Sequence, residues 1–159
     1  MRPKFPSLIP YLNKPYKMEN HTQDNSDIAM GMVMADLMKN KIKVLLPVSD
    51  HLPFDLIAVD DGMKLSRVQV RYSKKQESGR IHLKLCNSSS YGGKWRTYTL
   101  NRGIFDAFAV YSEQLDRVLY VSNKDIPKNA SQLFSMRESG GDHQSRPTSD
   151  YQNPMNLFK

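Results

Sequence analysis

The sequence predicts an α/β (α+β) single domain built on one central mixed β-sheet flanked by helices. Three observations predict it. A chain of 159 residues with 39% apolar content suits one hydrophobic core and short extensions. A proline-free stretch of helix formers runs from Ile28 to Asn40. After it come four or five short β-prone runs punctuated by turn residues, the pattern of strands that share a sheet with a helix packed on it.

Residues 1–26 are rich in Pro, Asn and Lys, show no sustained apolar period, and are expected to form an N-terminal arm. Asp24, Ser26 and Asp27 then offer helix N-caps. Steps of 100° spread Ile28, Ala29, Met30, Met32, Val33, Met34, Ala35, Leu37 and Met38 around most of the helix, which predicts that it is mostly buried. Its methionines suit flexible core filler. Val44 to Val48 and Phe54 to Val59 are apolar strand runs, and Asp60-Asp-Gly62 is a hairpin turn. Leu65 to Tyr72 alternates, with Leu65, Arg67, Gln69 and Arg71 on one face and Ser66, Val68, Val70 and Tyr72 on the other. Arg80 to Leu85 alternates again. The residues from Asn87 to Gly93 are expected to form a turn, Ile104 to Tyr111 and Arg117 to Val121 two further strands, and Ser131 to Arg137 a short helix. The domain proper is thus expected over 27–138. Residues 139–159 are expected to be a tail, linker-like at first and ending in an apolar plug of Met155, Leu157 and Phe158 that is either disordered or docked on the core or a neighbouring subunit.

The net charge of +7 is concentrated in one place. Between Gly62 and Arg102 lie Lys64, Arg67, Arg71, Lys74, Lys75, Arg80, Lys84, Lys94, Arg96 and Arg102 against the single acid Glu77, so all the positive excess sits in that segment. Tyr72, Tyr91, Trp95 and Tyr98 are interleaved with it, as are small polar residues. Such a mixture suits a polyanion, with nucleic acid first and a solvated basic sheet face as the bland alternative. No basic amphipathic helix accompanies the charge, and no run approaches the length of a membrane span, so a membrane role is not expected. Pro3, Pro6, Pro10 and Pro15 interrupt any signal or transit helix near the start. Cys86 is the only cysteine, which rules out an internal disulfide and suits a reducing compartment, the cytoplasm or an organelle.

Several chemistries have no footing. The sequence lacks a Gly-rich phosphate loop and a nucleophile elbow, and one cysteine with the scattered His21, His51, His82 and His143 gives no zinc spacing. What remains is Asp55 at the start of an apolar strand, followed after a hairpin by Gln69 and Arg71 on one face of the next. Adjacent strands lie about 4.8 Å apart, so the three side chains are expected to meet. A carboxylate beside the Gln69 amide and the backbone carbonyl of Val70 can hold a hard cation such as Mg²⁺, while Arg71 steadies phosphate charge. Asp55 as a strand-start cap or ion-pair partner is the structural alternative.

The segments Val44-Leu-Leu-Pro-Val-Ser-Asp-His-Leu-Pro-Phe-Asp-Leu-Ile-Ala-Val59, Arg67-Val-Gln-Val-Arg-Tyr72, Phe105-Asp-Ala-Phe-Ala-Val-Tyr-Ser112 and Arg117-Val-Leu-Tyr-Val121 resemble the PD-(D/E)XK nucleases. They are most similar to the small group I intron homing endonucleases of cyanobacterial type, over about Asp27 to Pro127. The resemblance implies a restriction-endonuclease-like fold and Mg²⁺-dependent cleavage of double-stranded DNA by a homo-oligomer, dimer or tetramer. It places Asp55 at the metal-binding acid and Gln69 at the second acid, which the homing branch replaces with Gln. Arg71 stands where the family usually has a catalytic Lys, and Met30 where many members have a helix Glu. Arginine stays protonated, so it stabilises phosphate charge but cannot serve as a general base. Lys74, Lys75, Arg80, Lys84, Lys94 and Arg96 are expected to contact the duplex, some at phosphates and others at base edges. The competing expectation, drawn from Arg71 and Met30, is a nuclease-derived module that binds DNA or RNA without turnover, in a structural or RNA-splicing role.

Overall fold

The computed structural model describes residues 21–49, 51–91, 94–130, 132–138 and 145–159. Most of the expected arm lies outside them, but its last residues are helical. Helix α1 (His21–Lys39) begins seven residues before the expected Ile28. The cap-like Asp24, Ser26 and Asp27 therefore sit inside the helix, in turns that carry polar side chains because they do not face the core. The helix ends at Lys41, which adopts the left-handed φ of 61°. Its N–H bonds Met38 O while that of Ile42 reaches back to Leu37 O, closing the last turn.

Strands follow as β1 (Lys43–Leu45), β2 (Leu56–Val59), β3 (Leu65–Ser73), β4 (Arg80–Lys84), β5 (Cys86–Tyr91), β6 (Lys94–Thr99), β7 (Ala107–Ser112), β8 (Arg117–Ser122), β9 (Leu133–Arg137) and β10 (Arg146–Pro147). Five of them form the central mixed sheet in the order β1-β2-β3-β7-β8. Only β3 and β7 run parallel in it. The β2–β3 turn closes with Asp60 Oδ1 accepting from Lys64 N at 2.8 Å, and its left-handed residue is Met63 rather than the neighbouring Gly62.

One face of the sheet packs on α1. Ala29, Val33 and Leu37 are buried against Val68, Val70, Ala107, Ala109 and Tyr120, and Met30 and Met34 fill the margins. The expectation of a mostly buried helix is corrected here: Ile28, Met32 and Met38 are exposed, because the sheet covers only one side of the cylinder. The other face is covered by a second sheet, β10-β9-β4, where a helical cover was expected. Ile81, Leu83, Phe134 and Met136 from that sheet pack on Phe108, Val110, Leu119 and Val121. Residues 133–137, expected to be helical, are strand β9 because pairing with β4 sets Ser135 opposite His82 and Met136 opposite Ile81.

The C-terminal segment is part of the domain. Leu157 and Phe158 are buried beside α1, Ser66 Oγ donates to Leu157 O at 2.7 Å, and Lys64 Nζ donates to Phe158 O. Asn156 Nδ2 donates to the carbonyls of Tyr120 and Asp150. This is docking on the chain's own core. A second staple joins β3 to β7: Asp106 accepts Arg67 N and the Arg67 guanidinium through both carboxylate oxygens, and that guanidinium holds its carboxyl below the usual aspartate range. Among the described residues, no helix is long and apolar enough to cross a membrane.

Candidate active site

Strand β2 pairs with β3 only as far as Leu56 opposite Val68. Beyond that point β3 continues to Ser73 with β7 on one side and no β2 residue on the other, so its backbone presents an open edge. Asp55, immediately before β2, fills the first gap. Its N–H bonds Val68 O at 2.9 Å, and its Oδ2 accepts from Val70 N at 2.6 Å. The same oxygen accepts from Gln69 Nε2 at 2.8 Å. The expected convergence of Asp55 and Gln69 is therefore present, and the carboxylate is also a backbone cap.

Arg71 lies two residues further along the same face. Its Nη2 donates to Asn87 Oδ1 at 3.0 Å, while its Nε is buried with no hydrogen-bond partner among the described residues. Burial pulls the guanidinium below its ordinary pKa, and the negative charge of Asp55 opposes that pull. Arg71 thus stands close enough to Asp55 to feel its charge while keeping a donor unused. In its place a lysine would reach with a single ammonium and lack the fork that spans to Asn87.

The oxygen set fits a hard divalent cation. Asp55 Oδ1 has no hydrogen bond among the described residues, and Gln69, which donates through Nε2, keeps Oε1 as an acceptor. A strand residue points its N–H and C=O to the same side, so the Val70 carbonyl faces the open edge together with the N–H that Asp55 caps. One carboxylate and two neutral oxygens leave half of an octahedral shell to water and substrate phosphate, which suits Mg²⁺. Among the described residues, no cluster of three His, Cys, Asp or Glu side chains offers a competing site.

Arg71 also forms the inner wall of a cleft of about 540 Å³ that wraps around the open edge of β3. Asp55 and Gln69 stand beside that wall rather than in it. The basic lining residues are Arg71, Lys74 and Lys84, with His82 on β4, and among the described residues no acid lines the cleft. His82 is held by Ser135 Oγ at its Nδ1, 3.1 Å away. Burial, then the nearby Arg80, lowers the His82 pKa, so it is neutral at neutral pH and adds no charge. From α1 the cleft receives Asn25, Ser26 and Ala29. Met30 packs against the core instead, so the helix brings an amide and a hydroxyl to the site but no carboxylate.

The other expected contacts are distributed. Lys75 and Arg80 lie outside the cleft, around the β3–β4 connection, where Lys75 N is held by Glu113 Oε2 at 3.1 Å. Lys94 and Arg96 are exposed on β6. Of the turn expected over 87–93, residues 87–91 belong instead to β5, which with β6 makes a two-stranded ribbon, and 92–93 lie outside the described residues; serines and asparagine have low strand propensity, and pairing with β6 overrides it. Asn87, which holds Arg71, was the residue this hid. No local signal announced it, since the alternation of β4 continued past Leu85 would turn Asn87 to the apolar side with Ile81, Leu83 and Leu85.

A model of the PD-(D/E)XK endonuclease family matches residues 20–153. No curated protein matches the sequence. Among solved structures, the fold is similar to that of a bacterial homing endonuclease, I-Ssp6803I, with a TM-score of 0.70 at 21% identity over 87% of this chain and 93% of that one. At that identity the likeness speaks for the fold alone.

Proposed function

Because the chain belongs to the PD-(D/E)XK endonuclease family, we propose that it is a site-specific double-stranded DNA endonuclease of the intron-homing type, working with Mg²⁺. The observation that carries this reading is the meeting of Asp55, Gln69 and the Val70 edge beside Arg71, next to a cleft to which the described residues bring Arg71, Lys74 and Lys84 and no acid. Asp55 Oδ1, Gln69 Oε1 and the Val70 carbonyl would hold the ion, which when bound supplies Lewis acidity at the phosphate and a more acidic water. Arg71 brings its guanidinium charge to the phosphate as negative charge builds on it, and Asn87 keeps the guanidinium from swinging away. Lys74 and Lys84 hold the neighbouring backbone in register. Arg71 takes no proton from water, so base catalysis falls to solvent or substrate.

The described residues hold one such site, and a duplex has two antiparallel strands, so a symmetric oligomer is the simplest way to cut both. Ile28 and Met32 on the outer side of α1, with Leu45 and Leu46 at the edge strand β1, offer the apolar surface for a dimer or tetramer.

The second reading is a binding module without turnover, favoured by Arg71 in place of lysine and by a helix that offers no carboxylate. Titrating the protein with matched DNA duplexes and structured RNA, with and without Mg²⁺, separates the two. The endonuclease reading expects DNA preference and Mg²⁺-dependent strand breaks. RNA preference with intact strands at every metal concentration would establish the module instead.

A further inference from the structure

The β5–β6 ribbon is the one paired element that the core does not explain. Its two strands pair in a sheet only with each other, and Asn87, Lys94, Arg96, Thr97, Tyr98 and Thr99 are exposed. A two-stranded ribbon is marginal by itself. Alternation along β6 sets Lys94, Arg96 and Tyr98 on one side, and the register places Asn87 directly opposite Tyr98, hence on that same side. This basic face starts at the Asn87 that holds Arg71.

Six residues per strand at about 3.4 Å each make a ribbon about 20 Å long, and two strands about 5 Å apart fit a B-form major groove about 12 Å wide. The deep, narrow major groove of A-form RNA does not admit them. We infer that the ribbon is the element seated in the DNA major groove, and that Asn87 is a positioning residue that couples this seating to the aim of Arg71. The inference rests on the endonuclease reading for its second half. A ribbon seated in register keeps the guanidinium directed at the scissile phosphate. A ribbon displaced by a mismatched site tilts Asn87 and takes Arg71 with it, so recognition gates chemistry.

The test uses the full chain and one cleavable duplex, with single-turnover rate, Kd and thermal midpoint measured on each variant. Asn87→Ala is expected to lower the rate on the order of tenfold to a hundredfold while leaving Kd within about twofold. Asn87→Asp, which keeps an acceptor for Arg71, is expected to restore most of the rate. Lys94→Ala with Arg96→Ala is expected to weaken DNA binding and flatten its salt dependence, and the wild type to prefer duplex DNA over duplex RNA of the same sequence. An unchanged rate in Asn87→Ala, equal losses in Asn87→Ala and Asn87→Asp, or DNA binding untouched by the double substitution would overturn the proposal. Should the wild type cut no duplex, the endonuclease reading fails, and the Kd measurements still decide whether the ribbon holds DNA.

Discussion

Asp55→Ala is expected to lower single-turnover DNA cleavage by about 10³-fold or more while DNA affinity stays within a few-fold. No other carboxylate among the described residues bonds Gln69 or Val70, so its loss leaves only neutral oxygens for a divalent ion. Binding is spared because the cations proposed to attract the duplex, Lys74, Lys84, Lys94 and Arg96, stand elsewhere. The substitution also uncaps Val70 N, a structural loss of about 1–3 kcal/mol. Asp55→Asn separates the two effects, since its amide oxygen can still accept from Val70 N while its charge is gone. It is expected to restore the unfolding midpoint and leave cleavage as low as in Asp55→Ala. Cleavage at wild-type rate in either variant would remove Asp55 from the site.

The second large effect is on stability. Joint replacement of Leu157 and Phe158 by alanine is expected to cost about 5–8 kcal/mol, since each large-to-small change in a packed core costs roughly 2–5 kcal/mol. Both side chains are buried in the cluster that seats α1 on the sheet, with 2% and 6% exposure. A domain of this size is stable by about 5–15 kcal/mol, so the double variant should be largely unfolded in moderate urea, and DNA binding should disappear along the same curve. Truncation after Gln152 should do the same and also remove the Asn156 bonds to Tyr120 and Asp150. An unchanged urea midpoint would show that the segment is dispensable.

The site was legible in the sequence because it is built from short-range rules. A hairpin turn at Asp60 fixes Asp55 near β3, and period two puts Gln69 and Arg71 on one face. Strands β2, β3, β4, β7 and β8 were legible for the same reason, with alternating or continuous apolar runs between turn residues. The remainder depends on contacts between distant segments. Residues 133–137 carry helix formers, and only the register with β4 makes them a strand. Residues 86–91 have the composition of a turn, and β6 makes them a ribbon. The start of α1 was obscured because Asp24 and Ser26 resemble caps while forming ordinary helical turns, with Ser26 turned to the cleft. The final residues looked like a tail because nothing local in 139–149 announces that Leu157 and Phe158 return to the core.

The central claim is that Asp55, Gln69 and the open edge at Val70 hold a divalent ion beside Arg71. Paramagnetic broadening of backbone amide NMR signals on titration with Mn²⁺ tests it most directly, since the effect falls steeply with distance from the ion and needs no cleavable substrate. The account predicts broadening centred on the amides of Asp55, Gln69, Val70 and Arg71, reversed by excess Mg²⁺ and abolished in Asp55→Asn. Broadening centred on another part of the fold, or persisting unchanged in Asp55→Asn, would contradict it.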